Sequence, residues 1–475
     1  MRRLLTAVLA LIWAGTAHAQ ITQIIGNGVI NPGGGSMYAP LMVLNSQGST
    51  GPSTTALTAI TLSPNGSGSA AWVTTSRLSH IPTAMTLRNL IAHAETTITS
   101  GDSYTFTVMK NGSPTALQCY VNNANPTCSC DPNAPQNCST GGTSGIAFSA
   151  GDSVYIQSCP QTNDPPTLTG GGNTCAAVGT SSSSVMDVNL MTQSPTGDAP
   201  IFAYTGTSLT TSGAGTYNSF GLTHGNAASD AVEADVIPNG NGGSGTVGTI
   251  SKFDAWATTT PTGVTSWTVT IYQNGSPSAI ACTLDSTHNP CSDTTHSITV
   301  AAGDTISIQT VPNSTPPGTL MTFDSNWHPT TLGEYPIFEL ATALPQNTGT
   351  RFLNLNGYSV SGTTSPGTTN TITPAATSVT VKGPSLSIST APSSTFSRIG
   401  TVYYGTTPAG MAASTVTCSI TGTNTTCSQS PSTSQTINGS SPSQLNYFNW
   451  EWTCSNASCA AITWAHMGLM TTVIP

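Results

Sequence analysis

The chain has 475 residues and only 6% of them are charged, with nine Lys and Arg against eighteen Asp and Glu. So few cations cannot neutralise many phosphates, which argues against nucleic acid as a partner. Polarity comes instead from Ser, Thr, Gly and Asn, which compete with helical backbone bonding and suit turns and strand edges.

Residues 1–19 read as a cleaved signal peptide. Arg2 and Arg3 precede the apolar run Leu4 to Trp13, and Ala17-His18-Ala19 supplies small residues for cleavage. That run is too short to span a bilayer, and no later stretch reaches spanning length, so no transmembrane segment is expected. The expected location is secreted, extracellular or at the cell surface. Residues 20–36 hold an apolar-alternating strand, Gln20 to Ile30, and a linker containing Gly33-Gly34-Gly35. A lone strand must pair with something. It either stays in its own first sheet or, through Ile21, Ile24 and Ile25, donates a strand to a second copy.

The remainder repeats. Tyr104 to Met109 alternates large apolar with small polar residues, turns at Asn111-Gly112, reaches Cys119 and Cys128, and alternates again after Gly151-Asp152. Trp267 to Ile271, Asn274-Gly275, Cys282, Cys291 and Gly303-Asp304 form the same series. Period-two alternation predicts half-buried strands, and Asn-Gly marks a tight hairpin. Pro40, Pro200 and Pro336 open equivalent strands and divide the chain into modules over 37–197, 198–332 and 333–475. The third has drifted: Gly410 stands where the others have the hairpin Asn, and Ser440 follows Gly439 where the others have Asp. A further shared strand is expected at Leu87 to His93, Ile250 to Trp256 and Phe396 to Tyr403. The fold class is all-β: three tandem jelly-roll-like antiparallel β-sandwich modules.

Twelve cysteines in an exported chain read as disulfides. Cys119/Cys128, Cys282/Cys291 and Cys418/Cys427 share one separation, which predicts hairpins clamped by local bridges. Cys130–Cys138, Cys159–Cys175 and Cys454–Cys459 complete the set. Zinc is the rival reading, but no CxxC pair accompanies these cysteines.

The order Tyr-x-Phe-x-Val, Asn-Gly, Gly-Asp-x-Val-x-Ile-Gln, at Tyr104 to Gly112 and Gly151 to Gln157, resembles the tumour-necrosis-factor-like and complement-globular-head jelly rolls. The second module carries the pattern at Trp267 to Gly275 and Gly303 to Gln309; the third lacks both dipeptides. The resemblance implies trimeric packing and a structural or binding role. Three covalently joined modules would then pack as a pseudo-trimer within one chain.

No Gly-x-Ser-x-Gly, His-Glu-x-x-His or phosphate-cradling loop is present, so no enzyme activity, cofactor or metal is expected. The histidines are scattered, and a lone His is more often structural than a ligand. Glu233 and Asp235, alternating on one strand with Asp230 nearby, offer a calcium reading, against the commoner one of solvated turn acids. Asp152 and Asp304 are expected to bond their own turns. Trp450 and Trp452 share a strand face and are the candidates for stacking a sugar. The expected function is a secreted or surface structural or adhesive protein, self-associating as a pseudo-trimer or as a filament built by strand donation. A glycan-binding protein is the alternative, and a secreted polysaccharide hydrolase the third reading.

Overall fold

The computed structural model describes residues 37–474, apart from 42–51, 61, 63–77, 95–96, 133–134, 167, 169–174, 179–185, 223, 242–244, 345–349, 354–356, 361–370, 374–377, 394, 408–409, 431, 438–445 and 457–458. The segment expected to be a signal peptide, the expected donor strand with Ile21, Ile24 and Ile25, and the Gly439-Ser440 pair lie outside these residues.

Among the described residues the regular structure is nearly all strand, and the sheets fall into three sandwiches of contiguous sequence. Strands are numbered in chain order. In the first, β1 (Met37–Leu41), β10 (Met186–Ser194), β4 (Met85–Ala94) and β7 (Thr127–Ser129) form one sheet, with β8 (Ile146–Phe148) also on β4. Its second sheet is β2 (Thr58–Ile60), β9 (Ser153–Gln161), β5 (Ser103–Lys110) and β6 (Ser113–Asn122), with β3 (Ser79–His80) also on β9.

The second sandwich repeats this order. β11 (Ala199–Tyr204), β20 (Met321–Pro329), β15 (Thr246–Ala257) and β18 (Cys291–Ala301) form one sheet. The other is β13 (Gly225–Ala227), β12 (Thr216–Ser219), β19 (Thr305–Asn313), β16 (Ser266–Gln273) and β17 (Ser276–Leu284), with β14 (Asp235–Val236) on β19. The third follows suit with β21 (Glu334–Leu344), β31 (Ile462–Ile474), β25 (Ser378–Ile388) and β28 (Thr426–Ser428). The parallel strand β23 (Gly357–Val360) caps β21, and β29 (Ser434–Ile437) pairs with β25. Facing them are β22 (Arg351–Leu353), β30 (Asn446–Cys454), β26 (Ser397–Gly405) and β27 (Ala412–Thr421), with β24 (Thr371–Thr373) on β30. In every sandwich the first strand lies beside the last, and the chain alternates between two facing sheets. That is a jelly roll.

The local signals form what their chemistry requires. Asn111-Gly112 and Asn274-Gly275 all have positive φ (50°, 75°, 53° and 75°) and close the β5–β6 and β16–β17 hairpins. The inward faces bury Tyr104, Phe106 and Val108 in module one and Trp267, Val269 and Ile271 in module two.

Three expectations are corrected. Phe396 to Tyr403 is not equivalent to Leu87 to His93. It lies largely in β26, which pairs with β27 as β5 pairs with β6, and the counterpart of β4 is β25. The drifted hairpin has residues 406–411 between its strands instead of an Asn-Gly pair, which removed the landmark. Glu233 is not on a strand: it ends a single helical turn, α1 (Asp230–Glu233).

The third correction concerns the nine-residue bridges. Cys119–Cys128, Cys282–Cys291 and Cys418–Cys427 are formed, with Cα atoms 5.8, 5.7 and 6.1 Å apart. They do not clamp hairpins. β6 and β7, β17 and β18, and β27 and β28 belong to opposite sheets, so each bridge staples the two sheets where the chain crosses between them. Cys130–Cys138, Cys159–Cys175 and Cys454–Cys459 are also bonded.

Candidate functional site

Four buried ionisable groups of this charge-poor chain, His80, Asp235, Asp324 and His466, lie where modules meet. Three equivalent strands reach towards the neighbouring module, β3, β14 and β24, each followed within two residues by proline: Ser79-His80-Ile81-Pro82, Asp235-Val236-Ile237-Pro238 and Thr371-Ile372-Thr373-Pro374. Ile81 exchanges backbone hydrogen bonds with the Gly151-Asp152 turn (2.8 and 2.9 Å), and Ile237 does the same with Gly303-Asp304 (2.9 and 2.8 Å). The repeated Gly-Asp turn thereby fixes the strand that reaches the next module. β3 touches β20, β14 touches β31, and β24 touches β10. β1 further contacts β11, β21 and β31.

At the first junction the His80 backbone N–H donates to Asp324 Oδ2 at 2.7 Å, and His80 Nδ1 lies 3.6 Å from the same oxygen. Thr322 Oγ1 donates to the Leu78 carbonyl at 2.7 Å, and Lys252 Nζ to Thr83 Oγ1 at 3.0 Å. Burial pushes the Asp324 carboxyl up to about 6, although His80 and its backbone N–H pull the other way. Burial would lower His80, but the neighbouring carboxyl groups of Asp324 and Asp254 outweigh it and hold the imidazole above its ordinary value.

The second junction uses the same strands with the roles exchanged. Phe202 faces Asp324 and Phe338 faces Gly468, each in an otherwise matching Pro-Ile-Phe register, so Gly468 occupies the position of Asp324. A Cβ there would stand 2.2 Å from the Val236 carbonyl oxygen. The histidine now comes from β31: His466 Nδ1 is 3.6 Å from Asp235 Oδ1, and Nε2 is 2.9 Å from the Val232 carbonyl. Asp235 Oδ2 accepts from Ser219 Oγ (2.6 Å), Phe220 N (2.7 Å) and Gly221 N (3.0 Å). Beside it Glu233, fully buried and raised by that burial, pairs with His224 at 2.8 Å. The loop after β14 closes the contact, since Asn239 N donates to the Gly383 carbonyl at 2.9 Å and Asn241 N to Glu334 Oε1 at 2.8 Å. Glu334 also holds the buried Lys382 at 2.7 Å. Neither acid is a solvated turn residue. Among the described residues no group of His, Cys, Asp and Glu is arranged to hold a metal ion.

The sequence-predicted stacking residues are elsewhere and inaccessible. Trp450 and Trp452 are 0% and 1% exposed and pack in the core of module three with Phe448, so neither offers a face to a sugar. Period-two placement put both on one face, and that face is the inner one. The reading missed the junction residues because His80 and Asp324 lie 244 positions apart. The proline that follows each of the three strands was the available signal. Among the described residues no helix is long and apolar enough to cross a membrane.

No family model and no curated protein matches the chain. Among solved structures, infectious bursal disease virus, Gx strain, is similar over 58% of this chain and 71% of its own, at 10% identity and a TM-score of 0.17. A triple jelly-roll protein of an archaeal virus turret assembly is similar over 94% and 96%, at 10% identity and 0.17. PNGF-II is similar over 84% and 83%, at 9% identity and 0.18. Likenesses this distant carry no functional argument.

Proposed function

We propose that the protein is an exported structural element, secreted or at the cell surface, in which three jelly-roll modules close into a pseudo-threefold ring within one chain. The observation that carries this reading is the recurrence of one contact, β3 to β20, β14 to β31 and β24 to β10, which links each module to the next and the third back to the first. Closed packing hides surface that single modules would expose. Six disulfides support an oxidising compartment.

Such a ring is a rigid unit suited to repetition, and the segment Gln20 to Ile30, with Ile21, Ile24 and Ile25 as anchors, is the connector we assign between units. Light scattering on full-length protein and on a variant lacking residues 20–30 tests that assignment. Concentration-dependent oligomers lost on deletion support it; a monomer at all concentrations, or unchanged assembly after deletion, removes it.

The glycan-binding reading keeps one specific observation in its favour. On the outer face of module two Tyr217 and Tyr272 pack edge-to-face at 5.4 Å, joined through Gln309, and all three are half-buried. Retention on immobilised polysaccharide that Y217A and Y272A abolish would support this reading over the structural one.

A further inference from the structure

Among the described strands that end a sheet, only β6, β17, β18 and β27 are longer than six residues. An open edge of that length is a template for a further strand unless something blocks it. Three of the four are blocked. In module one Tyr120 N donates to the Asn137 carbonyl (3.1 Å) and Ser139 N to the Gln118 carbonyl (2.9 Å), so the inserted loop runs along β6. β17 carries Pro277, and Asp293 Oδ2 takes its Ala281 N–H at 3.1 Å. β18 bulges where residues 294–296 stand opposite Lys252 alone. β27 has neither proline nor a charged residue. It shares one bulge with β6 and β17, at residues 414–416 opposite Val402, and beyond it Thr417 to Thr421 pair regularly with β26. Thr417, Gln118 and Ala281 each precede the first cysteine of a nine-residue bridge and are equivalent. The backbone groups turned away from the sheet at Gln118, Tyr120 and Ala281 are bonded. Their counterparts at Thr417 and Ser419 meet no partner among the described residues.

We propose that β27 is the acceptor edge for residues 20–30 of a second copy, which add there as a further strand on the second sheet of module three. The proposal rests on the connector reading above and gives that connector its seat.

The sequence of the donor suits this edge. Residues 20–30 carry no charge and no proline, so neither repulsion nor a missing N–H opposes pairing with the equally uncharged β27. Main-chain hydrogen bonds to Thr417 and Ser419 supply the affinity, and Ile21, Ile24 and Ile25 supply apolar side chains for the margin of the sandwich. The tether decides which copy is served. Residues 31–36 reach roughly 13 Å from the start of β1. β1 touches β31 of module three, but β27 ends the facing sheet, about 10 Å further on. A tether of that length serves a neighbouring molecule better than its own chain.

Two variants of the full chain and their mixture read the pairing by light scattering. Deleting residues 20–30 removes the donor. T417P/S419P removes two N–H groups that point away from β26, a change that an edge strand tolerates. The proline variant is expected to assemble at least about tenfold more weakly than the wild type, the scale of two lost main-chain hydrogen bonds, and the deletion variant not at all. Mixed, the deletion variant still offers β27 and the proline variant still offers residues 20–30, so the two should form a one-to-one complex. Near-ultraviolet circular dichroism checks each fold, and S419K/T421K, which charges the same edge, takes the place of the proline variant if that one unfolds. An edge-blocked variant that assembles like the wild type overturns the acceptor and leaves the connector standing. So does a mixture that stays monomeric after the deletion alone has abolished assembly. Assembly unchanged by the deletion, or a wild type monomeric at every concentration, overturns both.

Discussion

Asn274 Nδ2 donates to Asp304 Oδ1 at 2.8 Å, tying the tip of the β16–β17 hairpin to the turn that feeds β19. Asn274 Oδ1 accepts from Thr305 N at 2.9 Å, and Asp304 Oδ2 accepts from Ala301 N at 2.8 Å. Module one repeats the pair as Asn111 and Asp152, at 2.7 Å. The Asn-Gly and Gly-Asp motifs are therefore two halves of one clamp, and module three has neither at the matching positions.

Asp304→Ala should destabilise module two by about 1–3 kcal/mol, because several donors lose their acceptor together. A double-mutant cycle with Asn274→Ala, read by urea unfolding, should return a coupling of about 1 kcal/mol. Additive effects would mean that the two side chains act separately. In module one, burial raises Asp152, but Ser149 N–H, Asn111 and Lys110 outweigh it and hold the carboxyl below its ordinary 3.8. Its contribution is present above that value and is lost as pH falls through the depressed one, so this clamp should fail only in strong acid.

Replacing Cys282 and Cys291 by Ser should cost about 2–3 kcal/mol, the loop-closure scale for so short a loop. Because the bridge joins sheets, exchange should accelerate in both β17 and β18. Acceleration confined to β17 would restore the clamped-hairpin picture.

Trp450→Ala should cost about 3–5 kcal/mol, as expected for emptying a fully buried indole site. Any retention of the folded protein on polysaccharide should be unaffected. A specific loss of retention with unchanged stability would return Trp450 to the surface role that its sequence position suggested.

Gly468→Ala places a methyl group against the Val236 carbonyl oxygen, which backbone cannot evade cheaply. Protease susceptibility should rise between modules two and three while β31 keeps its pairing with β21 and β25. A variant as resistant as the wild type would show that the junction is not close-packed.

What the sequence disclosed was local. Alternation gave the strands around Tyr104 and Trp267, Asn-Gly gave two hairpins, and a constant spacing gave three cysteine pairs. Which sheet each Cys strand joins depends on a crossover that period-two patterning does not encode. The strand equivalent to β4 was misplaced in module three because the clamp that marks it elsewhere is gone. Burial of Trp450 and Trp452 required knowing which of two large-residue faces turns inward. His466 and Asp235, from different modules, meet only once the third module is docked.

Small-angle scattering on residues 37–475 tests the closed arrangement most directly. Three globular modules in mutual contact should give a radius of gyration of about 23–27 Å, whereas the same modules strung end to end should give about 34 Å. The ring predicts the smaller value, with Gly468→Ala moving towards the larger. A wild-type value near 34 Å would contradict it.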